Sequence, residues 1–139
     1  TVKWLVNFLK KDTTKNNLSS NGNFYFWKSI NFIKNHLIII FTKKGYAFDN
    51  INQIQNNNDL IIFTESKKVI TKSIFRSNTK CFLTKKFEKK NIEGFVIKYL
   101  KKYKKIIFKK HSQAFLIHVS YPRKWSKANT LTLVSKKDI

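Results

Sequence analysis

The chain has 139 residues, a length suited to one domain or at most two. Its 29 Lys and Arg against 7 Asp and Glu leave a formal net charge of +22, which argues against a small-molecule enzyme and for a polyanionic partner. A hydrophobic content of 42% with 13 Phe is too high for a disordered basic tail, so a folded core inside a basic shell is expected.

Residues 1–24 read as an appendage. Val2, Leu5, Val6 and Leu9 recur at helical spacing with Lys3, Lys10 and Lys11 opposite, and a polar linker follows from Asn16 to Asn23. With no Arg, the segment reads as a docking helix rather than a transit peptide. The clearest predicted helix is 28–41, where Ile30, Ile33, Leu37 and Ile40 form one stripe. Residues 42–66 carry little signal: an Asn-rich surface loop at Asn50–Asn58, then a short strand at Leu60–Thr64. From Val69 the chain reads as strands and turns. Asn91-Ile92-Glu93-Gly94 is a turn signal, and Phe95, Ile97 and Tyr99 alternate after it, which predicts a hairpin with one apolar and one basic face. Residues 114–121 alternate as a further strand. Pro122–Asn129 is a basic loop, and Thr130–Val134 a final strand. No internal repeat is evident.

Several kinds of chemistry lack their residues. The longest apolar runs, Leu37–Phe41 and Ala114–Ile117, fall far short of the roughly 20 residues a membrane span needs. A single cysteine, Cys81, excludes an internal disulfide and a multi-cysteine zinc site, and the three histidines show no metal spacing. The acids are scattered rather than clustered as a two-metal nuclease requires, and the three glycines stand too far apart for a phosphate loop. The sequence thus predicts no catalytic residues, no metal and no cofactor.

Polyanion binding is the positive signal. Lysines run through the whole chain, suited to phosphate contacts. Tyr99, Tyr103, Phe108, Tyr121 and Trp125 lie among them and are candidates to stack on unpaired bases, whereas Phe82, Phe87, Phe95 and Phe115 read as core. Arg123, Lys124 and Trp125, together in the basic loop, are candidate RNA contacts, and Trp125 could instead meet a protein partner. The 27 Lys against 2 Arg, with 17 Ile and 15 Asn, match AT-rich codons and point to an organellar, endosymbiont or protist genome. In such a chain a lone Lys is a weak marker of a contact.

The order of residues resembles bacterial-type small-subunit ribosomal protein S nineteen in a divergent mitochondrial form. Lys28, then Asn31-Phe32-Ile33 and His36-Leu37-Ile38, follow the family's opening segment and helix. Lys67-Lys68-Val69-Ile70 leads to Arg76-Ser77. The family's hairpin pattern is met by Phe82, Leu83, Lys85, Phe87, Asn91 and Phe95, with Ile92 in place of the turn glycine. His111 and Phe115 echo its last segment. The resemblance implies an α+β fold: an N-terminal helix packed with a small three-stranded antiparallel sheet. It divides the chain into an N-terminal extension (1–24), a core domain (25–115, with an insertion at about 42–66) and a basic C-terminal extension (116–139).

By position, the resemblance implies RNA contacts at Lys28, Arg76, Ser77, Lys85, Lys109, Lys110 and His111, with Arg123 a further candidate. Arg76 leads, because arginine grips phosphate in a bidentate way. The implied partners are ribosomal RNA in the small-subunit head, ribosomal protein S thirteen, A-site tRNA and large-subunit bridge elements. The implied location is the mitochondrion. The competing readings are a basic accessory subunit of a membrane-associated organellar complex, since polybasic surfaces bind anionic lipid, and a maturase-like nucleic-acid enzyme fragment.

Overall fold

The computed structural model describes residues 26–52, 57–119 and 130–139. Residues 26–30 are helical. The elements that follow are β1 (Leu37–Phe41), α1 (Tyr46–Ile51), β2 (Asp59–Thr64), α2 (Lys67–Ser73), β3 (Thr79–Leu83), α3 (Ile92–Lys102), α4 (Lys104–Ile107), β4 (Gln113–His118) and β5 (Thr130–Ser135). A short 3-10 turn, Lys136–Asp138, comes last.

The five strands form one mixed sheet in the order β3-β2-β1-β4-β5. β1 pairs in parallel with β2 and β4, β2 pairs in parallel with β3, and β5 runs antiparallel beside β4. Parallel neighbours require crossover connections, and here helices supply them on both faces. On one face, Ile38, Ile40, Leu60, Ile62, Phe115 and Ile117 pack against segment 26–30, α1 and α2. On the other, Leu37, Ile39, Phe41, Ile61, Phe63 and Leu116 pack against α3 and α4. Both faces of the central strands are therefore dry, which is why β1 is an unbroken apolar run with all five residues buried.

Helices and strands are both present, as expected, but the sheet is five-stranded and largely parallel rather than a three-stranded antiparallel one. Three local differences account for this. The stripe predicted as a helix over 28–41 breaks after residue 30; Asn35 turns at φ 58, and the β-branched Ile38–Ile40 run becomes β1. The predicted hairpin does not form. Residues 92–102 are α3, with Ile92, Phe95, Val96, Tyr99 and Leu100 buried along one face and Ile97 exposed. Asn91, read as a turn, is the N-cap of α3, its side chain accepting from the Gly94 N–H at 3.0 Å. A Cβ on Gly94 would collide with that cap. The residues Phe82 to Phe95 that carry the family resemblance thus run from β3 through a loop into α3. Finally, 42–66, read as an insertion, supplies β2, and the C-terminal stretch supplies β5. Segment 1–24 lies outside the described residues.

The register of the parallel strands stacks aromatic rings. Phe41 pairs with Phe63 and Phe63 with Phe82 across β1, β2 and β3. Their rings stack at 4.8 Å and 5.5 Å, and Tyr103 closes the row 4.5 Å from Phe82. Phe63 is fully buried at its centre. Large-to-small changes at such sites lose transfer energy and leave a cavity. Phe63→Ala is therefore expected to cost about 3–5 kcal/mol in denaturant unfolding, whereas Phe75→Ala, at an 88% exposed position, stays within about 0.5 kcal/mol.

β4 is buried on both sides, so its last residue, His118, is buried too, with Nδ1 3.0 Å from the Val119 carbonyl. Burial pushes the His118 imidazole below its ordinary value, against the opposing pull of the Val119 carbonyl and the Glu93 charge. A base with a depressed folded pKa lets the unfolded chain take up the proton first. Its contribution to stability is full above the unfolded value near 6.5 and is lost as pH falls toward the folded value. The denaturant midpoint should fall between about pH 7.5 and about pH 5.5, and His118→Gln should flatten that dependence.

Candidate nucleic-acid interface

At the carboxyl ends of the first three strands the sequence repeats a pattern. Phe41-Thr42 leads to Lys43-Lys44, Phe63-Thr64 to Lys67-Lys68, and Leu83-Thr84 to Lys85-Lys86. The threonines are buried and extend the ladder by a rung: Thr42 N–H donates to the Phe63 carbonyl at 3.0 Å, and Thr84 N–H to the Thr64 carbonyl at 2.8 Å. Their hydroxyls shape the turns. The Thr42 oxygen accepts from Gly45 N–H and the Thr64 oxygen from Ser66 N–H, each at 3.0 Å. Thr84 donates to the Lys85 carbonyl at 2.8 Å.

The three loops are also tied to one another. Thr64 Oγ1 donates to the Lys43 carbonyl at 3.4 Å. Glu65 Oε2 accepts from Phe87 N–H at 2.6 Å, and the Tyr99 hydroxyl accepts from Lys85 N–H at 2.9 Å. Gly45, at φ 100, lets the first loop approach α2 so closely that a Cβ there would sit 3.0 Å from Val69 Cγ2. Three lysine pairs therefore stand side by side on one rim. Adjacent strands lie about 4.8 Å apart, so the three turns span about 10 Å, roughly one Debye length at 0.1 M salt. Their fields add. Among the described residues none of these six lysines is paired with a carboxylate. The nearby acid, Glu65, is used on a backbone N–H.

Of the seven residues expected to bind RNA that lie among the described residues, five are at the opposite rim, at the amino ends of the strands. Arg76, Ser77, Lys109, Lys110 and His111 are there, whereas Lys85 belongs to the lysine-pair rim. Arg76 is half-buried. Its guanidinium donates to Thr79 Oγ1 at 2.8 Å, to the Ser77 carbonyl at 3.3 Å and to the Asn58 carbonyl at 3.4 Å. It ties the turn before β3 to the start of β2. Burial lowers its pKa from the ordinary arginine value, and Asp59 opposes that shift. His111 Nε2 sits 2.6 Å from Asp59 Oδ2, bridging the amino end of β1 from β4 to β2. Lys109 and Lys110 are exposed. Lys28 is exposed on segment 26–30 and is held by a neighbouring group. Arg123, Lys124 and Trp125 lie outside the described residues, as does Tyr121.

Two of the three aromatic candidates among the described residues fall into the core. Tyr99 and Phe108 are buried, and Tyr103 lies against Phe82 with Lys102 Nζ 5.5 Å from its ring centre. Phe87, Phe95 and Phe115 are buried and Phe82 half-buried, as read from the sequence. Among the described residues the most exposed phenylalanine rings are Phe75 and Phe32, at 88% and 69%. Lys43, Lys44, Lys67, Lys68 and Lys86 were not singled out as contacts from the sequence. The threonine and lysine recurrence is their only signal, and it becomes a pattern once the strands are aligned.

Among the described residues no group of three or more His, Cys, Asp or Glu is placed to hold a metal ion, and no helix is long and apolar enough to cross a membrane. Compared with protein-family models and with curated proteins, the chain matches none significantly.

Because Arg76 is engaged within the fold, Arg76→Ala should act on stability first. A loss of about 1–3 kcal/mol is expected in urea unfolding, the cost of leaving half-buried acceptors unpaired. In a salt titration with RNA as the probe, the slope should change by less than one phosphate contact.

Proposed function

We propose that this chain is a structural RNA-binding protein of an organellar ribosome, holding ribosomal RNA of the small subunit and carrying out no chemistry on it. The observation that carries the reading is the rim of three lysine pairs, free of carboxylate partners among the described residues and brought to one end of the sheet by the buried threonine turns. A preformed array of cations releases counterions from a phosphate backbone with little ordering cost. The opposite rim adds Lys109 and Lys110, so cationic surface lies at both ends of the sheet, as suits a protein with RNA on more than one side.

The acids support a binding role rather than a catalytic one. Asp49 faces Lys72 at 3.9 Å, Asp59 holds His111, Glu65 holds a backbone N–H, and Asp138 caps the final turn. They are dispersed structural partners. The codon usage favours an organellar, endosymbiont or protist genome, and within that range the divergence of the family resemblance favours the mitochondrion. A place in the subunit head beside ribosomal protein S thirteen, near A-site tRNA, rests on the order of the motifs alone.

Salt dependence tests the interface directly. Each phosphate contact contributes a slope of about −0.7 to −0.9 in log K against log salt, so Lys67→Ala with Lys68→Ala should flatten the slope by roughly 1.4–1.8. An unchanged slope would place the RNA elsewhere. In a sucrose gradient of native lysate the protein should travel with the small ribosomal subunit and leave it after ribonuclease treatment. Light or membrane fractions unaffected by ribonuclease would overturn the reading.

A further inference from the structure

Between the amino ends of β1, β2 and β3 and the end of α4 lies a cleft of ≈ 300 Å³. Its position is unusual, because open sheets with parallel strands ordinarily bind ligands at the carboxyl ends. The floor is apolar: Leu37, Ile61 and Ile107 belong to the buried core behind it. One wall is polar, formed by Asp59 and His111, and Lys109 and Lys110 stand on the same loop as His111. Ile106, 41% exposed, forms part of the lining near the opening.

The geometry points to a site for a single unpaired nucleotide, its base in the cleft with guanine preferred and its phosphate on Lys109 and Lys110. The inference deepens the RNA-binding reading and rests on it for the source of the nucleotide. Three features carry it. The volume lies at the lower end of the roughly 300–1,000 Å³ typical of small-molecule sites, so it suits one nucleoside and excludes a duplex. The apolar floor can cover a base face, and the two lysines are free of carboxylate partners among the described residues.

The third feature selects the base. An ionised carboxylate offers about four lone-pair positions, and the Asp59 side chain spends one on His111. The remaining positions are acceptors only. Guanine presents N1–H and the N2 amino group side by side, two donors matched to a carboxylate. Uracil presents one N–H between two carbonyl oxygens, which would face the carboxylate with like charge. Unpaired bases are commonly read on this edge by such side chains.

The test uses the full chain. Guanosine monophosphate, uridine monophosphate, and oligouridylate with or without one central guanosine are each titrated while backbone amide shifts are followed. Guanosine monophosphate should move the amides of Thr79, Lys80 and His111. The guanosine-bearing oligonucleotide should bind about tenfold more tightly than plain oligouridylate. Asp59→Asn should bring that ratio to within about twofold. Because Asp59 also orients His111, a second variant is needed: Ile106→Trp, at a partly exposed position, should fill the cleft and remove the preference while leaving the salt slope intact. Equal affinity for both oligonucleotides would overturn the site and leave the RNA-binding reading standing. Guanosine monophosphate in the cleft with no oligonucleotide bound would support the site as one for free nucleotide and overturn the RNA-binding reading instead.

Discussion

Everything in this fold depends on a central strand that can tolerate no polar side chain. β1 is hydrogen-bonded on both edges and covered on both faces, and its five residues are all buried. Full burial of each such side chain stabilises by roughly 1.5–3 kcal/mol, and the neighbouring strands repeat the condition. That stabilisation holds together a molecule of net charge +22. The same constraint dictates where the charge can go. Lysines are excluded from the inner strands and from the inward helix faces, so they collect on the outer helix surfaces and in the turns. Parallel strands then bring alternate turns to the same end, so part of the charge stands on the two rims of the sheet.

The strands were legible in part. Leu60–Thr64, the alternation from Ala114 and the last strand, Thr130–Val134, are all apolar runs bounded by turn residues, and each is a strand in the structure. Two readings failed where a short apolar run fits two periods. Ile30, Ile33, Leu37 and Ile40 satisfy a helix, yet Ile38 and Ile39 are equally buried, which only a strand covered on both sides explains. Phe95, Ile97 and Tyr99 satisfy a strand, yet Val96 and Leu100 are buried while Ile97 is not, which is a helix. Strand order could not be read at all. β1 meets β4 across more than seventy intervening residues, and no local pattern encodes that pairing.

The candidate interface was harder to read than the fold, for a compositional reason. With 27 lysines in the chain, the presence of one carries almost no information. Lys85 was picked out from the family's hairpin pattern, but beyond its neighbour Lys86 the residues that share its rim come from turns some twenty and forty positions away. Arg76 was picked out because arginine is rare here. Its rarity proved to mark a fork of hydrogen bonds within the fold, since a single lysine ammonium could not span Thr79, Ser77 and Asn58 in a planar geometry.

Asn35, Asn57 and Asn78 each turn the backbone at φ 54–58 just before a parallel strand. Among residues with a side chain, asparagine enters that left-handed region most readily. A chain with only three glycines has therefore kept its reversals by another route. Gly45 marks the limit of that route: at φ 100 a side chain would be strained, and its Cβ would press on Val69 Cγ2 at 3.0 Å. Asparagine, with its AT-rich codons, thus serves where the backbone asks only for handedness, and glycine stands where it also asks for space.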